Sequence, residues 1–168
     1  MVDKNISCAI LQGDATSAGS YEIVGCKLHA GGHLKLKNDI TIICAYLPPD
    51  ISAETFDVAM NAIRTSESIG IVVGDFNLPD IDWLTEHPKF IGAKGIALHD
   101  MFTDLACSQF ILSPTRGKNV LDLLFCNDPM LISDVSVNAP FSTSDHARYD
   151  ILHYLFIWPN IFRPLSLD

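Results

Sequence analysis

A single α/β domain is what the sequence predicts, and three observations predict it. The chain has 168 residues, the length of one ordinary domain, enough to bury about 70% of the surface its unfolded form exposes. Hydrophobic residues make up 48% of it and charged residues 18%, a balance that builds a core and excludes a disordered tail. Apolar runs of strand length alternate with stretches whose apolar residues recur at helical spacing, and no repeat or low-complexity tract divides them.

Taken in order, residues 21–28 read as a strand, and residues 39–47 as a second, so continuously apolar that both of its faces should be covered. Pro48-Pro49 stops it, since neither proline offers a backbone N–H. Ser52 can cap a helix from residue 53 to about 67, in which Ala53, Phe56, Met60 and Ile63 share one stripe. Residues 69–73 form a short buried strand, ended by Gly74. Leu98, Met101, Phe102 and Leu105 keep helical spacing and predict a helix over about 94–106. Strands are predicted next over 109–112, 120–125 and 132–137. The aromatic-rich residues 149–158 predict a last strand in a sheet core, stopped by Pro159.

Eleven Lys and Arg stand against twenty Asp and Glu, a net charge of −9. That sign opposes gripping nucleic acid by general electrostatics, so a nucleic-acid role must rest on a defined site. Apolar runs such as 42–47 and 155–158 fall far short of the roughly 18 residues a membrane helix needs. Met1-Val2-Asp3-Lys4 opens no signal-peptide pattern, so an intracellular setting without a membrane partner is expected. Cys8, Cys26, Cys44, Cys107 and Cys126 form an odd set with no CxxC pair, three of them in apolar runs, and are expected to be buried thiols.

Gly74-Asp75-Phe76-Asn77 lies where an apolar strand runs out, the end of an open α/β sheet at which ligands bind. In extended chain Asp75 and Asn77 point the same way; the carboxylate can orient or deprotonate a water and the amide can donate to a phosphoryl oxygen. An Asx turn is the plainer reading. Ser144-Asp145-His146 precedes the last strand, so Asp145 can hold a hard divalent cation and His146 can exchange protons near neutrality, although a lone histidine is commonly structural. Asp122 interrupts the run Val120 to Phe125 and needs a donor, for which His146 is a natural partner; capping a turn is the alternative. Tyr46 ends the second strand, where its hydroxyl can reach a phosphate or its ring can join the core. Within Thr115-Arg116-Gly117-Lys118, Arg116 can contact a polyanion, with a solvated turn as the simpler reading. Trp83 is expected in the core. His29 and His33 are too loosely spaced for a metal pair.

Tyr46 in CAYLPP, Asp75 and Asn77 in VVGDFNLPDIDW, Asp122 in PTRGKNVLDLLFCND, and Asp145 with His146 in STSDH together resemble the endonuclease/exonuclease/phosphatase superfamily. GDFNLPDIDW and the PTRG-to-ND string are similar in particular to the endonuclease domain of LINE-type non-LTR retrotransposons, over about residues 21–158. The resemblance implies a DNase I-like α+β fold, a two-sheet β-sandwich flanked by helices. It also implies metal-assisted phosphodiester hydrolysis on DNA, with Mg²⁺ or Mn²⁺ as cofactor and a reverse transcriptase as the companion domain of a full-length element. Activity on genomic DNA would place it in the nucleus. By the same resemblance Asp75 positions the attacking water, Asn77 and Tyr46 contact the scissile phosphate, Asp145 binds the metal, and His146, held by Asp122, acts on a phosphate oxygen.

Family members carry an Asn and a metal-binding Glu upstream of the strand matching residues 21–28, so an amino-terminal truncation is expected here. Of the four glutamates, Glu22, Glu54, Glu67 and Glu86, none matches that ligand. Impaired catalysis and exposed strand edges are the expected consequences. Two alternatives stand beside the nuclease: a non-catalytic remnant of the fold, and a phosphatase of the same superfamily.

Overall fold

The structure is a computed structural model that describes residues 6–13, 21–30, 38–85, 88–132, 134–139 and 147–152. Its first strand, β1 (Ile6–Gly13), was not predicted from the mixed composition of that segment; it pairs antiparallel with β2 (Glu22–Leu28). Among the described residues, the edge of β2 expected to lie bare is therefore paired. Strands β2 and β3 (Ile40–Tyr46) are both seven residues long and pair antiparallel end to end, so that Glu22 faces Tyr46.

Helix α1 (Ala53–Arg64) then crosses back, and a crossover is what a parallel partner requires: β4 (Ile69–Asp75) pairs parallel with β3. Ser52 caps α1 as predicted, its Oγ accepting the N–H of Thr55 at 3.1 Å. The buried stripe is Phe56, Ala59, Met60 and Ile63. Ala53, placed on the stripe by spacing alone, is exposed in the first turn. The helix stops earlier than predicted, where Thr65 turns its hydroxyl back onto Asn61 O at 2.8 Å.

The short pair β5 (Ile81–Asp82) and β6 (Lys89–Phe90) leads to α2 (Ala93–Asp104), which buries Leu98, Met101 and Phe102. The predicted strand over 109–112 is reduced to β7 (Ser108–Gln109), and the one over 120–125 begins two residues later as β8 (Asp122–Cys126). The late start has a cause. The N–H groups of Leu121 and Asp122 both donate to Thr115 Oγ1 at 3.0 Å instead of to a neighbouring strand.

A 3₁₀ turn at Pro129–Leu131, capped by Asp128, delays the next strand to β9 (Asp134–Asn138), which pairs antiparallel with β10 (Arg148–Leu152). The rest of the last predicted strand, residues 153–158, lies outside the described residues. The main sheet therefore runs β1-β2-β3-β4-β8-β7, with β9 and β10 as a second, two-stranded sheet. Ile23, Ile43, Val72 and Leu124, each 0% exposed, join Phe56, Ile63 and Leu98 in one core, on which Val135 and Val137 of β9 also pack.

Candidate active site at one end of the sheet

The pairing register brings four polar residues into a single row. Glu22 faces Tyr46, Tyr46 faces Asp75, and Asp75 faces Asp122, across β2, β3, β4 and β8. Directly opposed residues present their side chains on the same face, about 5 Å apart from strand to strand. Tyr46 and Asp75 close their strands and Asp122 opens its own, so the row sits at the carboxyl end of the parallel pair, where a ligand has access.

Each member is held differently. Tyr46 is 43% exposed, which sets aside the core-aromatic reading and leaves its hydroxyl accessible. Phe76, fully buried, packs edge-on against Phe102 at 6.3 Å and Phe125 at 6.0 Å and fixes the loop between Asp75 and Asn77. Gly74 makes the approach possible, since a Cβ there would lie 1.8 Å from Ala45 O.

Asn77 departs from the extended geometry expected of it. Its φ is 47°, its N–H donates to Asp75 Oδ1 at 3.1 Å, and its Nδ2 donates to Leu47 O at 2.9 Å. The Asx turn and the proposed site thus coexist: the turn draws Asp75 and Asn77 together, and the buried amide is locked against β3's end, with a second N–H on the same nitrogen.

Asp122 is 7% exposed and begins a strand buried at every position. Its anchor is Thr115, 1% exposed, whose hydroxyl collects the N–H groups of Leu121 and Asp122. The solvated-turn reading therefore fails at Thr115 and holds beyond it, where Arg116 and Asn119 exchange backbone bonds around Gly117 (φ 60°) and Lys118 is exposed. Arg116 is half-buried beside this anchor. Thr115 O also accepts the N–H of Ala147 at 2.6 Å. Asp145 and His146 themselves lie outside the described residues, and so does His33; the residue that follows His146 is the one Thr115 receives.

Two participants escaped the sequence reading. Thr115 looked like one polar residue of a turn, and Glu22 looked like part of an early strand. The matched lengths of β2 and β3 were the available signal for Glu22, because they oppose the first residue of one to the last of the other. Glu22 is exposed.

The row offers carboxylate, amide and phenol oxygens, the donor chemistry that suits Mg²⁺ or Mn²⁺. Among the described residues no group of three or more His, Cys, Asp or Glu is close enough to hold a metal ion. Elsewhere, His29 pairs with Asp39 at 3.3 Å instead of forming a metal pair. Trp83 is in the core, as predicted. The cysteines divide: Cys126 is buried, Cys26 and Cys107 are half-buried and Cys44 is exposed, contrary to the expectation of uniformly buried thiols. Burial, and secondarily the neighbouring Cys126, pushes the Cys107 thiol up to about 11, so it stays protonated and unreactive at neutral pH. Among the described residues no helix is long and apolar enough to cross a membrane.

The sequence model of the endonuclease-reverse transcriptase family matches residues 40–149, well over half of the chain. Among solved structures, the endonuclease domain of TRAS1, a telomere-specific non-LTR retrotransposon, superposes with a TM-score of 0.55 at 20% identity. The match covers 86% of this chain and 65% of that one, so the chain spans just under two thirds of the compared domain. No curated protein matches. The chain belongs to the endonuclease-reverse transcriptase family and carries the α+β, DNase I-like fold of its endonuclease domain.

Proposed function

We propose that the chain is a divalent-cation-dependent phosphodiester hydrolase of the retrotransposon endonuclease type, acting on DNA. One observation carries this reading. Tyr46, Asp75 and Asp122 stand in one row, and Thr115, which anchors Asp122, also receives the chain directly after Asp145-His146.

In this reading Asp75 orients the attacking water and Asn77 and Tyr46 bind the phosphate oxygens. His146, steered by Asp122, exchanges a proton with a phosphate oxygen. Asp145 is the residue that would hold Mg²⁺ or Mn²⁺, and the cation would neutralise charge on the phosphoryl group. Arg116 and Lys118 offer cationic contacts to the strand in a chain of net charge −9. Because so few basic residues take part, the salt dependence of DNA binding is shallow. In a full element a reverse transcriptase would act beside this chain, on nuclear DNA.

Supercoiled plasmid tests the proposal. Nicking that requires Mg²⁺ or Mn²⁺ and disappears in both Asp75→Asn and His146→Ala supports it. Nicking unchanged by both substitutions contradicts it, and a correctly folded chain that never nicks is the non-catalytic remnant.

A further inference from the structure

Lys94 stands where its own helix disfavours a lysine. It is the second residue of α2, in the first turn, where the aligned backbone N–H groups already carry positive charge and an acidic side chain is the favoured occupant. Gly92, the residue before the helix, supplies no side-chain cap, and that first turn holds no acidic residue. The Lys94 side chain is half-buried, and its Nζ donates to the carbonyl of Ile51, which directly precedes the Ser52 cap of α1. A cation set against its helix and partly withdrawn from water marks a position at which local preference has yielded to a demand from elsewhere in the fold.

The demand comes from the loop that follows Tyr46, which is gripped at both ends. At the near end Leu47 N–H donates to Asp75 O at 2.8 Å, and Leu47 O accepts Asn77 Nδ2 at 2.9 Å. At the far end Ile51 O accepts Lys94. Between the grips Pro48 and Pro49 have fixed φ angles, and Ile51 N–H donates back to Pro48 O at 3.2 Å and closes the turn. Such a link has little slack, and Leu47 and Ile51, 0% and 2% exposed, pack its two ends into the core. The carbonyl held by Asn77 belongs to the planar Leu47–Pro48 peptide, so its direction depends on where Pro48 sits. We propose that Lys94 is a positioning residue: by holding Ile51 O it fixes Pro48 and the Leu47 carbonyl, and so aims the second N–H of the Asn77 amide at the substrate phosphate. What Asn77 does there rests on the hydrolase reading; how it is held rests on the loop alone.

The ¹⁵N-labelled full chain tests it at the side-chain amide of Asn77. In Lys94→Met, which keeps the apolar stem and removes the donor, the Asn77 Nδ2 protons should lose their protection from solvent exchange while the backbone amide of Val72, at the centre of β4, keeps its own. Lys94→Arg, which retains a donor, should restore that protection. Pro49→Gly, at an exposed residue between the two grips, should reproduce the loss with Lys94 in place, and it keeps the proposal falsifiable where Lys94→Met does not fold. In plasmid nicking Lys94→Met should lower kcat by roughly tenfold to a hundredfold, the scale of a group misplaced from a distance, with KM for DNA changed by less than about twofold. Unchanged exchange at Asn77 in Lys94→Met or Pro49→Gly overturns the proposal, as does an equal loss in Lys94→Met and Lys94→Arg. A raised KM with kcat intact, the mark of a lysine that merely contacts DNA, overturns it too. An unaltered chain that does not nick ends the hydrolase reading and leaves the amide exchange to decide whether Lys94 positions Asn77.

Discussion

Strands β8 and β2 belong to one sheet and contribute to one polar row, yet they meet solvent in opposite ways. Every residue of β8 is buried, from Asp122 to Cys126, whereas β2 alternates, with Glu22 and Val24 exposed and Ile23 at 0%. The difference is positional. Strand β8 lies between β4 and β7, and its Phe125 packs against Phe76 and Phe102. Strand β2 has partners on both edges but cover on one face only. The backbone at the buried end is anchored, the Asp122 N–H donating to Thr115 Oγ1; the carboxylate at the open end stays solvated, as Glu22 does. The row is therefore graded, with held groups at β4 and β8 and a solvent-exposed one at β2.

Substituting one carboxylate on each side of Tyr46 should expose that gradient most visibly in activity. Asp75→Asn is expected to lower cation-dependent nicking by roughly a thousandfold, within the range of a lost general base. Glu22→Gln should change it by less than about threefold, as an ordinary surface substitution does. Equal losses in a plasmid assay would show that the row acts as a unit.

Stability sharpens the contrast. Leu124→Ala, at 0% exposure, should cost about 2–5 kcal/mol, and Val24→Ala, at 43% exposure, under about 1 kcal/mol, both read from urea unfolding. Thr115→Val keeps the shape and removes the acceptor for two buried N–H groups, at a cost of about 2–4 kcal/mol. Thr115→Ser should recover most of that loss; if it does not, the methyl group and not the hydroxyl anchors Asp122.

The smallest effect lies where β2 connects to β3, at the end of the strands opposite the row. The Ala30 N–H first, then His29 and Lys27, hold the Asp39 carboxyl below its ordinary value of 3.8. A depressed carboxylate contributes stability that is present above the unfolded value and lost as pH falls through the folded one. A slight extra loss of stability below pH 3.8 should therefore vanish in Asp39→Asn, as followed by thermal melts across acid pH.

What the sequence made legible was whatever local chemistry decides. The apolar runs of β3 and β4, the Ser52 cap and the GDFN turn at a strand end are all specified by neighbouring residues. What stayed hidden depends on pairing across the chain. Thr115 anchors residues six and seven positions away, and Glu22 joins the row only through its register with Tyr46. Strand β1 lacks a clean alternation and gains its identity from pairing with β2. Cys44 was expected inside because its run is apolar, and it is exposed because its side of β3 is open.

The central claim is that the row and the segment carrying Asp145 and His146 form one cation-binding site. Titrating Mn²⁺ into the ¹⁵N-labelled full chain tests it directly through paramagnetic line broadening. The account predicts that the amides of Tyr46, Asp75, Asn77, Asp122, Asp145 and His146 broaden first and together. Broadening centred on Asp39 and Glu67, or on Asp75 while Asp145 and His146 stay sharp, would contradict it.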